Sequence, residues 1–305
     1  MKPVLCIAGP TASGKSAYAL RLAQAVGGEI INADALQVYD ELRILSARPT
    51  PKEMLGVPHH LFGHVAGATR YSTGKWLRDV QPVLLDCLAR NVVPILVGGT
   101  GLYFRALLEG LADIPAISES AQKRAQALLD RQGIAALRAR AEALDPAAAS
   151  RVQGDDPQRL LRIVAVASDT GRPLSVWQAD TRPVVPQRFA KFCVLTPPRK
   201  ELYAKIDARY DDMLRAGGLR EAEHLLSLGL DETLPVMKAV GLRQLRGYFN
   251  GVSTLDEAVE DAKRQSRRFA KRQMTWFRNQ PPRGQFLENR ADRDAFAASV
   301  EGLSL

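Results

Sequence analysis

The chain has 305 residues, 46% hydrophobic and 25% charged, with a formal net charge of +9. That is enough for one large domain with a sizeable core, or for one domain and a smaller companion. No run approaches the roughly eighteen apolar residues of a membrane span, and the start MKPVLCIAG resembles neither a secretory nor an organelle signal. We therefore expect a cytoplasmic protein without a membrane partner. Cys6, Cys87 and Cys193 are scattered, which argues against a disulfide framework or a thiolate zinc site and for buried thiols.

In chain order, residues 4–8 are a short apolar run before a Gly-Pro turn, as in a buried parallel strand. Residues 13–26 have helical spacing and stop at Gly27-Gly28, a natural C-cap pair. A second strand is expected over 29–32, leading to Asp34, then a helix within 71–90. A third strand over 92–97 stops at Gly98-Gly99, and a helix follows over 100–109. Repetition of strand, loop and helix means an α/β fold, a parallel sheet flanked by helices.

Near Asp113 the texture changes. Residues 118–149 are rich in Ala, Gln, Arg and Leu, which favour helix, and no strand pattern returns before Phe192. We expect an all-helical insertion domain over 113–182, within a core made of 1–112 and 183–305. The proline-punctuated TRPVVPQR is its return linker. The sheet resumes over 191–195; 201–228, 235–249 and 255–277 are helical, and 285–288 makes a last short strand.

GPTASGKS, residues 9–16, fits G-x-x-x-x-G-K-S/T between a strand and a helix, the context such a P-loop needs. Gly9, Pro10, Thr11, Ala12, Ser13 and Gly14 turn the backbone so that amides face one hollow, and the helix N-terminus adds partial positive charge. Lys15 places a full charge on bound oxygens, and Ser16 can ligate Mg²⁺. The loop holds a di- or triphosphate; the pattern does not choose. The third strand ends in Gly-Gly rather than in a Mg²⁺-holding carboxylate. Asp34 is the one strand-end acid, open to readings as metal ligand, general base or cap. VGGTGLYF puts backbone at the sheet's carboxyl edge, where Thr100 would face the crevice.

Lys263, Arg264, Arg267, Arg268, Lys271, Arg272 and Arg278 crowd one stretch with Asp261 the nearest acid in sequence. A solvated helix face usually mixes signs and this one does not, which is compatible with a polyanionic partner as well as with an ordinary exposed helix. His59, His60 and His64 invite a metal reading, but no carboxylate completes the set in sequence and Gly63 interrupts any helix.

Five passages in order, GPTASGKS, NADALQVY, VGGTGLYFRALLEGL, DDPQRLLR and AKRQMTWFR, make the chain similar to the tRNA dimethylallyltransferases over residues 4–280. The resemblance implies a P-loop NTPase-like core and transfer of a dimethylallyl group from dimethylallyl diphosphate, with Mg²⁺. The acceptor is N6 of the adenosine just 3′ of the anticodon. It implies that the loop grips the isoprenoid diphosphate, with Asp34 as general base, Thr11 at the reacting centre and Arg199 on the diphosphate. It implies tRNA contacts at Asp34, Ala35, Leu36, Gln37, Thr100, Gln158, Arg159, Leu160, Leu161, Arg162, Val240, Gly241, Arg243, Gln244, Lys271 and Arg272. Partners are then the tRNA anticodon arm and the donor, and the bacterial-type enzyme is expected to work as a monomer.

The sequence departs from the family where Asp34-Ala35 replaces Asp-Ser and where Leu45-Ser-Ala-Arg48-Pro49 replaces Gly-Thr-Ala-Lys-Pro, and Gln122 stands where a relative has a basic tRNA contact. The rivals are a P-loop small-molecule kinase or ATPase, an adenylate isopentenyltransferase acting on AMP or ADP, and a non-catalytic RNA-binding protein. ATP turnover, AMP alkylation and RNA binding without turnover would mark them in that order.

Overall fold

The computed structural model describes residues 2–280 and 282–301. Its centre is a six-stranded, all-parallel sheet of β1 (Val4–Ala8), β2 (Gly28–Asn32), β3 (His59–His60), β4 (Val93–Gly98), β5 (Ala190–Leu195) and β6 (Gln285–Leu287), in spatial order β3-β2-β4-β1-β5-β6. The two-residue β3 was not foreseen. It is too short to carry a pattern of its own and is a strand only because Ile30 and Ile31 of β2 pair with it. Strands β1, β2 and β4 are buried along their whole length. That is why they read as continuous apolar runs rather than as alternation.

Helices cover both faces. On one face, α1 (Lys15–Val26) buries Tyr18, Leu22 and Val26 against Leu5, Ile7 and Ile95. On the other, α2 (Thr73–Ala89) brings Trp76, Val80 and Leu84, and α3 (Gly101–Glu109) brings Tyr103, Phe104 and Leu107. Trp76 and Tyr103 stack with ring centroids 4.3 Å apart, and the Trp76 indole donates to the carbonyl of Asn32 at 2.8 Å.

The chain forms two compact units, Met1–Leu108 with Val184–Leu305, and Glu109–Pro183. The second is helical: α4 (Glu119–Leu144), α5 (Pro146–Ala149), α6 (Pro157–Thr170) and α7 (Leu174–Ala179). Gly133 breaks the helical dihedrals inside α4, at φ 79° and ψ −179°. Leu137, Ala141, Leu160, Ile163 and Val166 are in its core. Buried Asp145 ties it, accepting from the amides of Ala148 and Ser175 and from the Ser175 hydroxyl.

The first unit continues with α8 (Arg199–Arg215) and α9 (Gly218–Ser227), which divide the helix expected over 201–228 because Gly217 adopts φ 104°. Similarly, 235–249 resolves into a 3-10 turn, Pro235–Lys238, and α10 (Leu242–Phe249), parted by Gly241 at φ 92°. Then come α11 (Leu255–Asn279), with a reciprocal Thr254–Glu257 capping box, and α12 (Arg290–Glu301).

A polar node closes one side of the sheet. Glu29 receives both guanidinium nitrogens of Arg90, at 2.7 and 2.9 Å, and lies 2.7 Å from His60 Nε2. With Cys87 these groups come within 4.8 Å of one another, so a carboxylate does stand beside His60, contrary to the expectation from sequence. Both its oxygens are engaged by Arg90, and burial pushes the Cys87 thiol up to about 11, which opposes a thiolate ligand. Arg90 first, and His60 after it, lower Glu29 from 4.5 to about 2 against the effect of burial. A carboxyl depressed in the folded state stabilises above its unfolded value and loses that contribution as pH falls through the folded one. Thermal unfolding should therefore lose stability between pH 4.5 and about 2. Glu29→Gln should melt lower at pH 7 and lack that part of the acid dependence; identical acid profiles would show that the node contributes nothing.

Candidate active site

The carboxyl ends of β1 and β2 lead into two loops that the sequence had marked, and both loops line one cavity. In the loop after β1, Gly9, Pro10 and Thr11 lead to Ala12 at φ 61° and to Gly14 at φ 85°, the N-cap of α1. Ser13 is buried with its hydroxyl unpaired, and the Lys15 ammonium donates to the Pro10 carbonyl at 3.2 Å. Burial lowers Lys15 from 10.5 to about 8, opposed by the nearby Asp34 carboxylate. Ser16, exposed in the first turn of α1, lines the cavity beside Lys15.

Asp34 is held by a built turn. Buried Asn32 accepts the Asp34 amide and donates to the Asp34 and Leu61 carbonyls. Asp34 Oδ1 accepts the Leu36 amide at 2.9 Å; Oδ2 carries no hydrogen bond among the described residues. The cap reading is therefore half right: one oxygen closes an Asx-type turn, and no helix follows. Thr100 Oγ1 accepts the Ala35 amide at 3.0 Å. The Gly-Gly at the end of β4 has a steric reason: a Cβ on Gly98 would overlap the Ala33 carbonyl. The turn carrying Asp34 and the strand end carrying Thr100 thus lie backbone against backbone.

One cavity is lined by Thr11, Lys15, Ser16, Asp34, Leu36 and Gln37, by Leu45 and Ser46, and by Ile206, Arg209, Tyr210 and Met213 of α8. Val240, Ser266 and Phe269 complete it. Arg199 is not in it. It is exposed on the first turn of α8, over the ring of Tyr203 at 5.0 Å. The arginine in the cavity is Arg209, about 15 Å farther along the helix at 1.5 Å per residue. Its charged form is opposed by burial and favoured by Asp34 and Glu53. A signal for it existed: Arg209 sits inside the stripe Ile206, Tyr210, Met213, where a cation needs an opposite charge, from an acid or a ligand, to face it.

The remaining RNA-contact candidates are distributed unevenly. Gln37 Nε2 donates to the carbonyls of Ser46 and Ala47, which leaves only Oε1 to offer. Gln244 Nε2 donates one of its two hydrogens to Asp261. Gly241 leaves room for Tyr210, whose hydroxyl oxygen a Cβ would meet at 2.5 Å. Arg243, Lys271 and Arg272 are exposed. In the helical unit, Gln158, Arg159 and Arg162 are exposed at the start of α6. Leu160 is fully buried, so it shapes the helix rather than meeting a partner, and Leu161 is partly buried against the same core. Gln122 donates to the Ile117 carbonyl. Arg48 binds the carbonyls of Tyr39 and Asp40 and packs on Gly63; it ties its own loop and does not line the cavity.

The basic run is less bare than its sequence. Lys263 pairs with Asp211 at 2.8 Å and Arg267 with Asp207 at 2.5 Å, a two-rung ladder between α11 and α8. Arg264 pairs with Asp261. Arg268, Lys271 and Arg272 make no ion pair among the described residues, so the free charge gathers near residues 268–272.

A parallel α/β sheet, a P-loop at a helix N-terminus and an acid facing two cations define a class: P-loop-fold proteins that bind a phosphorylated ligand at the sheet's carboxyl edge. The IPP transferase family model matches residues 37–280 and the isopentenyl transferase model residues 2–61. A tRNA dimethylallyltransferase of Maricaulis maris is 52% identical over 280 residues, covering 92% of this chain and 91% of that protein. Another from a Caulobacter species is 48% identical over 288 residues, covering 94% and 93%. The full-length tRNA isopentenylpyrophosphate transferase of Bacillus halodurans superposes with a TM-score of 0.69 at 31% identity, over 100% of this chain and 98% of that one. A eukaryotic dimethylallyltransferase acting on tRNA does so with a TM-score of 0.79 at 26% identity, over 91% and 70%. The chain belongs to the IPP transferase family.

The two arginines separate experimentally. Removing a preorganised cation from a site of developing negative charge costs roughly 10²–10³-fold in turnover. Arg209→Ala should lose activity on that scale and Arg199→Ala should stay near wild type in steady-state assays; the reverse order would return the role to Arg199.

Proposed function

We propose that the chain transfers the dimethylallyl group of dimethylallyl diphosphate to N6 of the adenosine immediately 3′ of the anticodon in tRNA, releasing diphosphate. One observation carries the reading: a carboxylate oxygen of Asp34 left without a hydrogen bond shares a cavity with Thr11, Lys15, Ser16 and Arg209. A proton acceptor opposite a cationic cradle is what alkylation of an aromatic amine by an allylic diphosphate requires. The relatives named above are tRNA dimethylallyltransferases, which favours tRNA over a free nucleotide as acceptor.

The bond between the allylic carbon and the diphosphate oxygen breaks as N6 bonds to that carbon. Negative charge grows on the departing diphosphate, where Lys15, Arg209 and the loop amides stabilise it. The attacking amine becomes acidic as it bonds, and Asp34 Oδ2 takes its proton. The Thr11 hydroxyl orients the bridging oxygen or the amine. Leu36, Leu45, Ile206, Met213, Val240 and Phe269 give the cavity apolar walls suited to the isoprenoid tail. Ser16 is a hard oxygen donor beside Lys15, and with diphosphate oxygens and water it suits Mg²⁺; a bound Mg²⁺ would supply further neutralisation of the leaving group. The acceptor base is unstacked to enter, and the exposed cations near 268–272 hold the RNA backbone. No helix among the described residues is long and apolar enough to cross a membrane. We place the enzyme in the cytoplasm, acting as a monomer.

Incubation with labelled dimethylallyl diphosphate, Mg²⁺ and unmodified tRNA should label tRNA and leave AMP and ATP controls unlabelled; label on AMP instead would make the chain an adenylate isopentenyltransferase. Asp34→Ala should cut transfer roughly 10²–10⁴-fold with tRNA binding retained, and loss of binding would recast Asp34 as structural. Lys271→Ala and Arg272→Ala should each flatten the plot of log affinity against log salt by about one unit, read by filter binding; an unchanged slope would remove them from the interface.

A further inference from the structure

α11 enters the site with a side chain that carries no charge. Gln273 is only 7% exposed. Its Oε1 accepts the Thr11 amide at 2.9 Å and its Nε2 donates to the Gly99 carbonyl at 3.0 Å. One partner can only donate and the other can only accept, so the amide has a single workable orientation. Gly99 makes the room for this bridge, because a Cβ there would overlap Gln273 Nε2. One residue on, the Thr100 amide donates to the Ala33 carbonyl at 3.3 Å, and Ala33 leads directly to Asp34. A continuous path of contacts therefore runs from Thr11 through Gln273, Gly99, Thr100 and Ala33 to Asp34.

We infer that Gln273 is a positioning residue that sets the separation between Thr11 and Asp34, and so the geometry of the donor's reacting carbon against the acceptor amine; this rests on the transfer reading above. Pro10 has no N–H, so Thr11 has the first amide after Gly9, and that amide is committed to Gln273 rather than to an anion. Thr11 then meets the ligand through its hydroxyl, at a distance from Asp34 that the bridge dictates. The cations and the later loop amides are untouched by the bridge, so its loss should impair turnover more than donor binding.

The test uses full-length Gln273→Met and Gln273→Glu, with turnover and donor KM measured on tRNA across pH and folding checked by circular dichroism at each pH. Misplacement of reacting groups is costly. Gln273→Met keeps the volume and loses both hydrogen bonds, and its kcat should fall roughly 10- to 100-fold with donor KM little changed. In Gln273→Glu, the ionised carboxylate repels the Gly99 carbonyl. The protonated form regains one donor and one acceptor, so its kcat relative to wild type should climb as pH falls. Folded variants with kcat within about twofold of wild type, or a Gln273→Glu ratio flat with pH, would reduce Gln273 to packing and overturn the inference alone. Wild-type protein that labels no tRNA would overturn the reading beneath it as well.

Discussion

The site depends on the contact between the ends of β2 and β4. The Ala33 carbonyl lies where any side chain at Gly98 would be, and it accepts the Thr100 amide while the Ala33 amide donates to Val97. This is ladder geometry carried past the last strand residues, and it holds the Asp34 turn rigidly against the sheet. Asn32 fastens the turn from within, and Thr100 fastens it from the next loop. A carboxylate on an ordinary surface loop would lack that precision, and proton transfer during alkylation is sensitive to it.

Electrostatics then follow from what faces that turn. Lys15 and Arg209 are both partly removed from water, and Asp34 favours the charged form of each. Two cations and one anion around a small cavity leave net positive charge, which suits a diphosphate. The α8–α11 ladder, Asp207–Arg267 and Asp211–Lys263, brackets Arg209 in sequence and braces the helix that carries it. Charges that read as an RNA-binding run are thus partly internal scaffolding. Exposed pairs contribute little to stability, but these rungs are partly buried and join two helices of the same cavity.

Much of this was legible in the chain. The phosphate loop needs a strand, glycines, Gly-Lys-Ser and a helix within a few residues, all local and all present. The five fully buried residues of β1, Asp34 at a strand end and the alanine-rich texture after residue 118 were local signals too. The errors came where one stretch depends on another. The resemblance implied Arg199 on the diphosphate, yet Arg209 shares the cavity with Asp34, because that depends on how α8 packs. Leu160 travelled with a motif whose polar neighbours are exposed while it is core. The acids that neutralise Lys263 and Arg267 lie more than fifty residues upstream. The short strand β3 became visible only through its pairing with β2, and the role of its His60 only through contact with Glu29.

The sequence by itself determined the parallel α/β class, the phosphate loop, the helical stretch and the strand-end acid, because backbone propensity, burial periodicity and glycine placement are properties of a few neighbouring residues. Only the tertiary structure decided which arginine shares that acid's cavity, which glutamine atoms remain free and which cations are already paired. Those are matters of distance between residues far apart in the chain, and charge and hydrogen bonding act through distance.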